Sequence, residues 1–175
     1  MGDPRRFDLF ANFIVDNFPS AKTVYDVAGG MGYLTMELTL RGVDSIVIDP
    51  RRTSLHKKDR VICRRKSLDI KRVVSLFPSS SLKSDADLVV GMHPDEATIP
   101  IVRYAVENNL PFAIVPCCRK GHEIWLRNHL KRWSTFIEFM KTMAEKADYD
   151  VREGRLRMNG KNLVIYGYPS IRSAL

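Results

Sequence analysis

The run Asp26-Val27-Ala28-Gly29-Gly30-Met31-Gly32 decides how this 175-residue chain is read. Before it stands a β-branched stretch, Thr23-Val24-Tyr25, and after it a segment with helical spacing at Leu34, Leu38 and Arg41. A strand, a glycine-rich turn and a helix start, in that order, form a cradle for a nucleotide. Glycine lets the backbone approach a ligand closely, and the first N–H groups of a helix lack intrahelical partners and face it. The next strand-like run, Ser45-Ile46-Val47-Ile48, ends at Asp49. An acid about 20 positions after the glycines is placed to accept from ribose hydroxyls.

Spacing separates two classes of nucleotide fold. The dinucleotide fingerprint G-x-G-x-x-G has a third glycine for close helix–strand packing, but here Thr35 stands three residues after Gly32. Present instead is an acid four positions before Gly30, in the pattern Asp26-x-Ala28-x-Gly30-x-Gly32. That pattern resembles the first motif of the S-adenosylmethionine-dependent methyltransferases, with Ala28 where the family usually has its first glycine. Asp49 falls in the position of the family's ribose-binding acid. The resemblance implies S-adenosyl-L-methionine as cofactor, held by Asp26, Ala28, Gly29, Gly30, Gly32 and Asp49. A tight β–α turn without a ligand is the plainer alternative, and the ordered succession of strand, loop, helix, strand and terminal acid outweighs it.

At this length the chain is expected to form one domain, residues 1–175, burying roughly two-thirds of its unfolded surface. A hydrophobic content of 45% is that of a globular protein. The longest apolar run, about nine residues around Pro111 to Cys118, is far short of the ~20 that cross a membrane. The opening MGDPRRF has no apolar signal core, and three cysteines (Cys63, Cys117, Cys118) cannot build a disulfide framework. A reducing, cytoplasmic location is expected.

The order of elements reads as α/β. Asp3-Pro4 starts an amphipathic helix carrying Phe7, Phe10, Ala11, Ile14 and Phe18 on one face, ending near Pro19. Then follow a strand over 23–28, a helix over 31–41 and a strand over 45–48. A basic loop leads to a strand over 60–64, a short helix over 68–77 and a strand over 87–91. A helix over 99–108, a strand over 111–115 and a long helix over 122–146 come next. Strands near 151–158 and 162–168, joined at Asn159-Gly160, close the chain as a hairpin. The expected fold is a Rossmann-like, seven-stranded, mostly parallel sheet with one antiparallel edge strand and helices on both faces. Methyltransferases of this class share that order.

The charge is concentrated. Residues 51–72 hold ten of the 28 lysines and arginines but only two of the 20 acids, Asp59 and Asp69, so the whole net charge of +8 lies in this block. A solvated face is the bland reading. Its position beside the cofactor acid favours a polyanionic substrate, RNA, met by Arg51, Arg52, Lys57, Lys58, Arg64, Arg65 and Lys66.

In open α/β sheets ligands lie beyond the carboxyl ends of the strands. For Asp69, read there after the third strand, the resemblance to the methyltransferases implies a carboxylate toward the adenine amino group, and the plainer alternative is a cap on the short helix. After the fourth strand comes Gly91-Met92-His93-Pro94-Asp95-Glu96, in which Gly91, Met92 and His93 are candidate cofactor contacts. His93 and Asp95 are candidate bases at the transfer site. After the fifth strand comes Pro116-Cys117-Cys118-Arg119-Lys120. His93 with these cysteines lacks the H-x-E and P-C-x-x-C spacing of zinc deaminases, so no metal is expected. The two loops together resemble the methyltransferase branch containing eukaryotic tRNA ribose 2′-O-methyltransferases.

The resulting expectation is S-adenosylmethionine-dependent methylation of RNA, either tRNA or rRNA, with a partner subunit as a source of specificity. Rival readings are a covalent mechanism through Cys117, protein methylation, and a non-catalytic module that binds RNA or a partner in ribosome assembly.

Overall fold

The computed structural model describes residues 2–79, 82, 85–118 and 132–170. The elements are α1 (Arg6–Asn17), β1 (Thr23–Val27), α2 (Tyr33–Leu40), β2 (Asp44–Ile48), α3 (Lys57–Arg65), β3 (Lys71–Val73) and β4 (Leu88–Met92). A 3-10 turn (Asp95–Ala97), α4 (Thr98–Glu107), β5 (Phe112–Val115), α5 (Trp133–Glu145), β6 (Tyr149–Arg155) and β7 (Leu163–Pro169) complete them. Seven strands form one sheet in the order β3-β2-β1-β4-β5-β7-β6. Pairing is parallel from β3 to β5, and β7 runs antiparallel to both β5 and β6. The reversed strand thus forms an antiparallel pair with β6 at that edge, as the Asn159-Gly160 hairpin requires.

Strand alternation builds a core on each face. Tyr25 and Val27 of β1 point to the side covered by Ile101 and Val102 of α4 and by Phe136 and Met140 of α5. Val24 points the other way, with Leu88, Val90 and Val115, onto Phe10 and Ile14 of α1 and Leu34 and Leu38 of α2. Phe10, Phe112 and Phe136 are completely buried, each worth on the order of 1.5–3 kcal/mol over exposure. Among the described residues no helix is long and apolar enough to cross a membrane.

Two expected elements exchange type. Residues 57–65 are a helix, although Val61-Ile62-Cys63 reads as strand, and 71–73 are a strand where a short helix was expected. Asp59 and Cys63, four apart, face inward, whereas the β-branched Val61 and Ile62 are 38% and 42% exposed. Burial of the i, i+4 face decided, over β-propensity. β3 is a three-residue edge strand, Lys71-Arg72-Val73, and carries no apolar alternation by which to find it. In the expected helix over 122–146, residues 133–145 are helical, and 122–131 lie outside the described residues.

Candidate functional site

The carboxyl ends of β1, β2 and β4 converge on the loop between β1 and α2. Ala28, Gly30 and Gly32 there adopt positive φ (54°, 54° and 90°), so the chain turns left-handed at alternate residues before α2 begins. Gly29 is required for another reason. A Cβ on it would stand 2.5 Å from an oxygen of the Asp26 carboxylate, which lies directly beneath the loop.

Asp26 is completely buried at the end of β1. Its Oδ2 accepts from the backbone N–H of Thr35 at 3.2 Å and from the Thr35 hydroxyl at 3.0 Å, while its Oδ1 is buried with no hydrogen-bond partner among the described residues. Burial pushes this carboxyl up to about 7, against the pull of the Thr35 bonds and the Arg72 charge. Thr35 thus has a task at the position of the missing third glycine: it holds one oxygen of Asp26 and leaves the other open. An unpartnered buried carboxylate oxygen costs free energy until a donor meets it.

Asp49, also completely buried, ties β2 to the loop. Its Oδ2 accepts from the Gly30 N–H at 2.9 Å and Arg51 Nη2 at 3.0 Å, and its Oδ1 from the N–H and Nε of Arg51 at 2.9 and 3.0 Å. Burial raises its pKa, but the bonds from Arg51 and Gly30 together outweigh that and hold the carboxyl below its ordinary value. From the far side, Arg72 Nη2 and the Thr53 hydroxyl donate to the Gly30 carbonyl at 2.7 and 2.9 Å. The loop is therefore held at both peptide groups flanking Gly30.

Two cavities flank it. One of about 510 Å³ is lined by Val27, Ala28, Asp49, Pro50, Arg51, Ser75, Leu76, Phe77, His93, Pro94, Asp95 and Pro100, among others. A second of about 260 Å³ is lined by Asp26, Ala28, Gly29, Gly30, Met31, Met92 and His93, together with Arg6, Phe7 and Tyr33. Ala28 and His93 belong to both, so the cavities adjoin. Ser75, Leu76 and Phe77 escaped the sequence reading because they follow β3, which had no strand signal.

Two expected contacts are not made, the first because of that same shift. Asp69 precedes β3, whose Lys71 pairs with Ile46 of β2, so it lies at the amino edge of the sheet, away from both cavities. It cannot face an adenine there. Gly91 lines neither cavity; a Cβ on it would stand 2.6 Å from Ile101 and 2.9 Å from Pro94, so it is a packing position.

His93 and Asp95 both take positive φ, 54° and 46°. His93 Nε2 lies 3.0 Å from the Lys161 carbonyl in the β6–β7 turn. A carbonyl only accepts, so in the neutral ring Nε2 carries the proton and Nδ1 is the basic atom. Asp95 Oδ1 accepts from the thiols of Cys117 and Cys118 at 2.8 and 3.2 Å. Burial, then the bond to Asp95, pushes the Cys117 thiol up to about 12. It is protonated at neutral pH and lacks the thiolate that a covalent route needs.

The basic block is divided by the fold. Lys57, Lys58, Arg60, Arg64 and Arg65 of α3 and the following Lys66 are exposed, as is Arg52. Arg51 is engaged with Asp49, Lys71 with Asp44 at 2.7 Å, and Arg72 with the Gly30 carbonyl. Arg119 and Lys120 lie outside the described residues.

Comparison with known proteins agrees with this geometry. The chain is 30% identical over 165 residues to a Caenorhabditis elegans protein named "Probable tRNA (uracil-O(2)-)-methyltransferase", covering 87% of this chain and 29% of that protein. A Caenorhabditis briggsae protein of the same name is 26% identical over 161 residues, covering 85% of this chain and 28% of that one. The chain thus spans less than a third of the length of these curated relatives. No family model matches it. Among solved structures, magnesium protoporphyrin IX methyltransferase (ChlM) from Synechocystis PCC 6803 with bound SAM aligns with a TM-score of 0.65 at 11% identity, covering 95% of this chain and 79% of that one. The chain thus shares the fold of this solved methyltransferase.

Proposed function

We propose that this chain binds S-adenosyl-L-methionine in the two adjoining cavities and transfers its methyl group to RNA, with tRNA as the substrate class. The observation that carries the reading is the unpartnered, buried Oδ1 of Asp26 beneath the glycine loop. A ligand ammonium supplies the missing donor and the opposite charge, and the cofactor's amino-acid portion has one. Asp49 accepts from the ribose hydroxyls at the far end of the loop, once Arg51 gives way. Pro50, Leu76 and Phe77 then offer an apolar wall for a base.

The sulfonium methyl is already activated, so the protein's contribution is to align an acceptor and exclude water. For a hydroxyl acceptor a proton must also leave. His93 Nδ1 is the better placed of the two candidate bases, because Asp95 already accepts from two thiols. The relatives' names read "Probable tRNA (uracil-O(2)-)-methyltransferase", and we read the acceptor here as an oxygen on the same ground. The exposed basic face of α3 receives the phosphates, and a partner subunit adds specificity for one RNA. The setting is cytoplasmic.

Incubation of the chain with methyl-labelled cofactor and total RNA, followed by nucleoside analysis, tests the reading. An O-methylated nucleoside in the tRNA fraction is expected. Label in protein alone, or cofactor binding without labelled RNA, would instead favour protein methylation or a non-catalytic module.

A further inference from the structure

Asp95, which lines the larger cavity, brings a metal-ligating atom together with those of Cys117 and Cys118. Asp95 comes from the turn after β4 and the cysteines from the segment after β5, and these are neighbouring parallel strands with Met92 opposite Val115. The His93 N–H donates to the Val115 carbonyl at 3.0 Å, and the Thr98 hydroxyl to the Asp95 carbonyl at 2.8 Å, so both segments are anchored beside the cluster. Asp95 Oδ1 lies 2.8 and 3.2 Å from the two sulfurs, and the sulfurs lie 3.7 Å apart.

Those spacings resemble the edges of a coordination tetrahedron. With zinc–sulfur bonds of about 2.3 Å and zinc–oxygen bonds of about 2.0 Å, two sulfurs stand about 3.8 Å apart, and sulfur and oxygen about 3.5 Å. The sulfur pair already has its spacing. The carboxylate oxygen needs to retreat by less than about 1 Å from each sulfur as the ion enters between them.

We propose that Asp95, Cys117 and Cys118 form a binding site for a thiophilic divalent cation of the zinc class. The donor set decides the class: two sulfurs and one carboxylate suit zinc or cobalt, whereas magnesium and calcium take oxygen ligands. Two metal–sulfur bonds replace two S–H bonds, and both protons leave to solvent. Three anionic ligands around a divalent ion leave a charge of −1, and Arg51, after β2, lines the same cavity as Asp95. The three protein donors leave the fourth tetrahedral position for water or a substrate oxygen, the arrangement of open zinc sites. The expectation of a metal-free site came from a missing deaminase signature, and these ligands follow a different pattern. The cation site does not depend on the methyl-transfer reading.

The test uses the full chain, reduced and freed of metal with a chelator. Cobalt(II) alone is added while thiolate-to-metal absorption is followed in the near ultraviolet, and zinc is then added to displace it. One ion per chain, thiolate bands, and at least tenfold weaker binding in Cys117→Ser and in Cys118→Ser are expected. Alkylation of the parent chain, mapped by mass spectrometry, avoids dependence on variant folding. Zinc should slow modification of Cys117 and Cys118 at least tenfold, with Cys63, buried elsewhere against Met36 and Leu55, as internal reference. Absence of thiolate bands, or alkylation unaffected by zinc, overturns the proposal.

Discussion

Arg51 closes over Asp49 with three hydrogen bonds, from its N–H and Nε to Oδ1 and from its Nη2 to Oδ2, at 2.9, 3.0 and 3.0 Å. The Gly30 N–H makes a fourth. A carboxylate offers about four lone-pair sites, so a ribose diol meets a filled acceptor. The Arg51 side chain is 68% exposed and Asp49 is completely buried, which makes the arginine the partner that moves. With the arginine 68% exposed, solvent screens the pair and brings it toward the value of surface ion pairs, about 0–1 kcal/mol. Arg51→Ala should therefore tighten binding of S-adenosylhomocysteine up to about fivefold by calorimetry. Tenfold weaker binding would mean instead that Arg51 orients Asp49 for the ligand.

Asp26 makes cofactor affinity depend on pH. Its carboxyl is raised to about 7 in the free protein, chiefly by burial, and a ligand ammonium favours the ionised form. Below pH 7 the proton must first leave, so affinity should fall toward about tenfold per pH unit and level off above pH 8. Asp26→Asn should bind weakly and with a flat profile. The same shift acts on folding. The unfolded chain loses this proton near 3.8 and the folded chain near 7, so stability falls as pH rises through that window. Thermal melts of Asp26→Asn should lack that fall.

The face of α3 should bind RNA in a salt-dependent way. Each phosphate contact removed should lower the slope of log affinity against log salt by about 0.7–0.9. Reversal of Arg64, Arg65 and Lys66 to Glu leaves the loop contacts of Arg51 and Arg72 intact, so RNA binding should weaken sharply with cofactor affinity unchanged. Filter binding at several salt concentrations measures both, and an unaltered slope would reduce the face to a solvated surface.

The proposed chemistry puts most weight on His93. General-base assistance contributes about 10²–10⁴-fold, so His93→Ala should slow methyl transfer by that order in single-turnover assays, with cofactor affinity retained within a few-fold. Unchanged turnover would leave His93 as a hinge between the β4 turn and the β6–β7 turn.

The sheet and glycine loop were legible because their signals are local. Asp26 to Gly32 and Asp49 carry their chemistry in type and spacing, and the short apolar runs of the buried strands mark β1, β2, β4 and β5. The edge strand β3 was illegible, because Lys71 and Arg72 serve contacts with Asp44 and the Gly30 carbonyl rather than an apolar face. Misplacing it hid Ser75, Leu76 and Phe77 and put Asp69 at the wrong edge of the sheet. Thr35 read only as an absent glycine, and its hold on Asp26 needed the third dimension. The meeting of Asp95 with Cys117 and Cys118 spans 22 and 23 residues, and no spacing rule announces it.

The most direct measurement is calorimetry of the unmodified chain with S-adenosylmethionine, S-adenosylhomocysteine and NAD in parallel. Micromolar binding of the first two is expected, with no heat from NAD. Asp49→Ala should weaken binding by about 1.5–3 kcal/mol, the scale of hydrogen bonds to a charged group, while the far-ultraviolet spectrum stays that of the parent. Heat with NAD and none with S-adenosylmethionine would contradict the account, because the loop from Asp26 to Gly32 would then serve a different nucleotide.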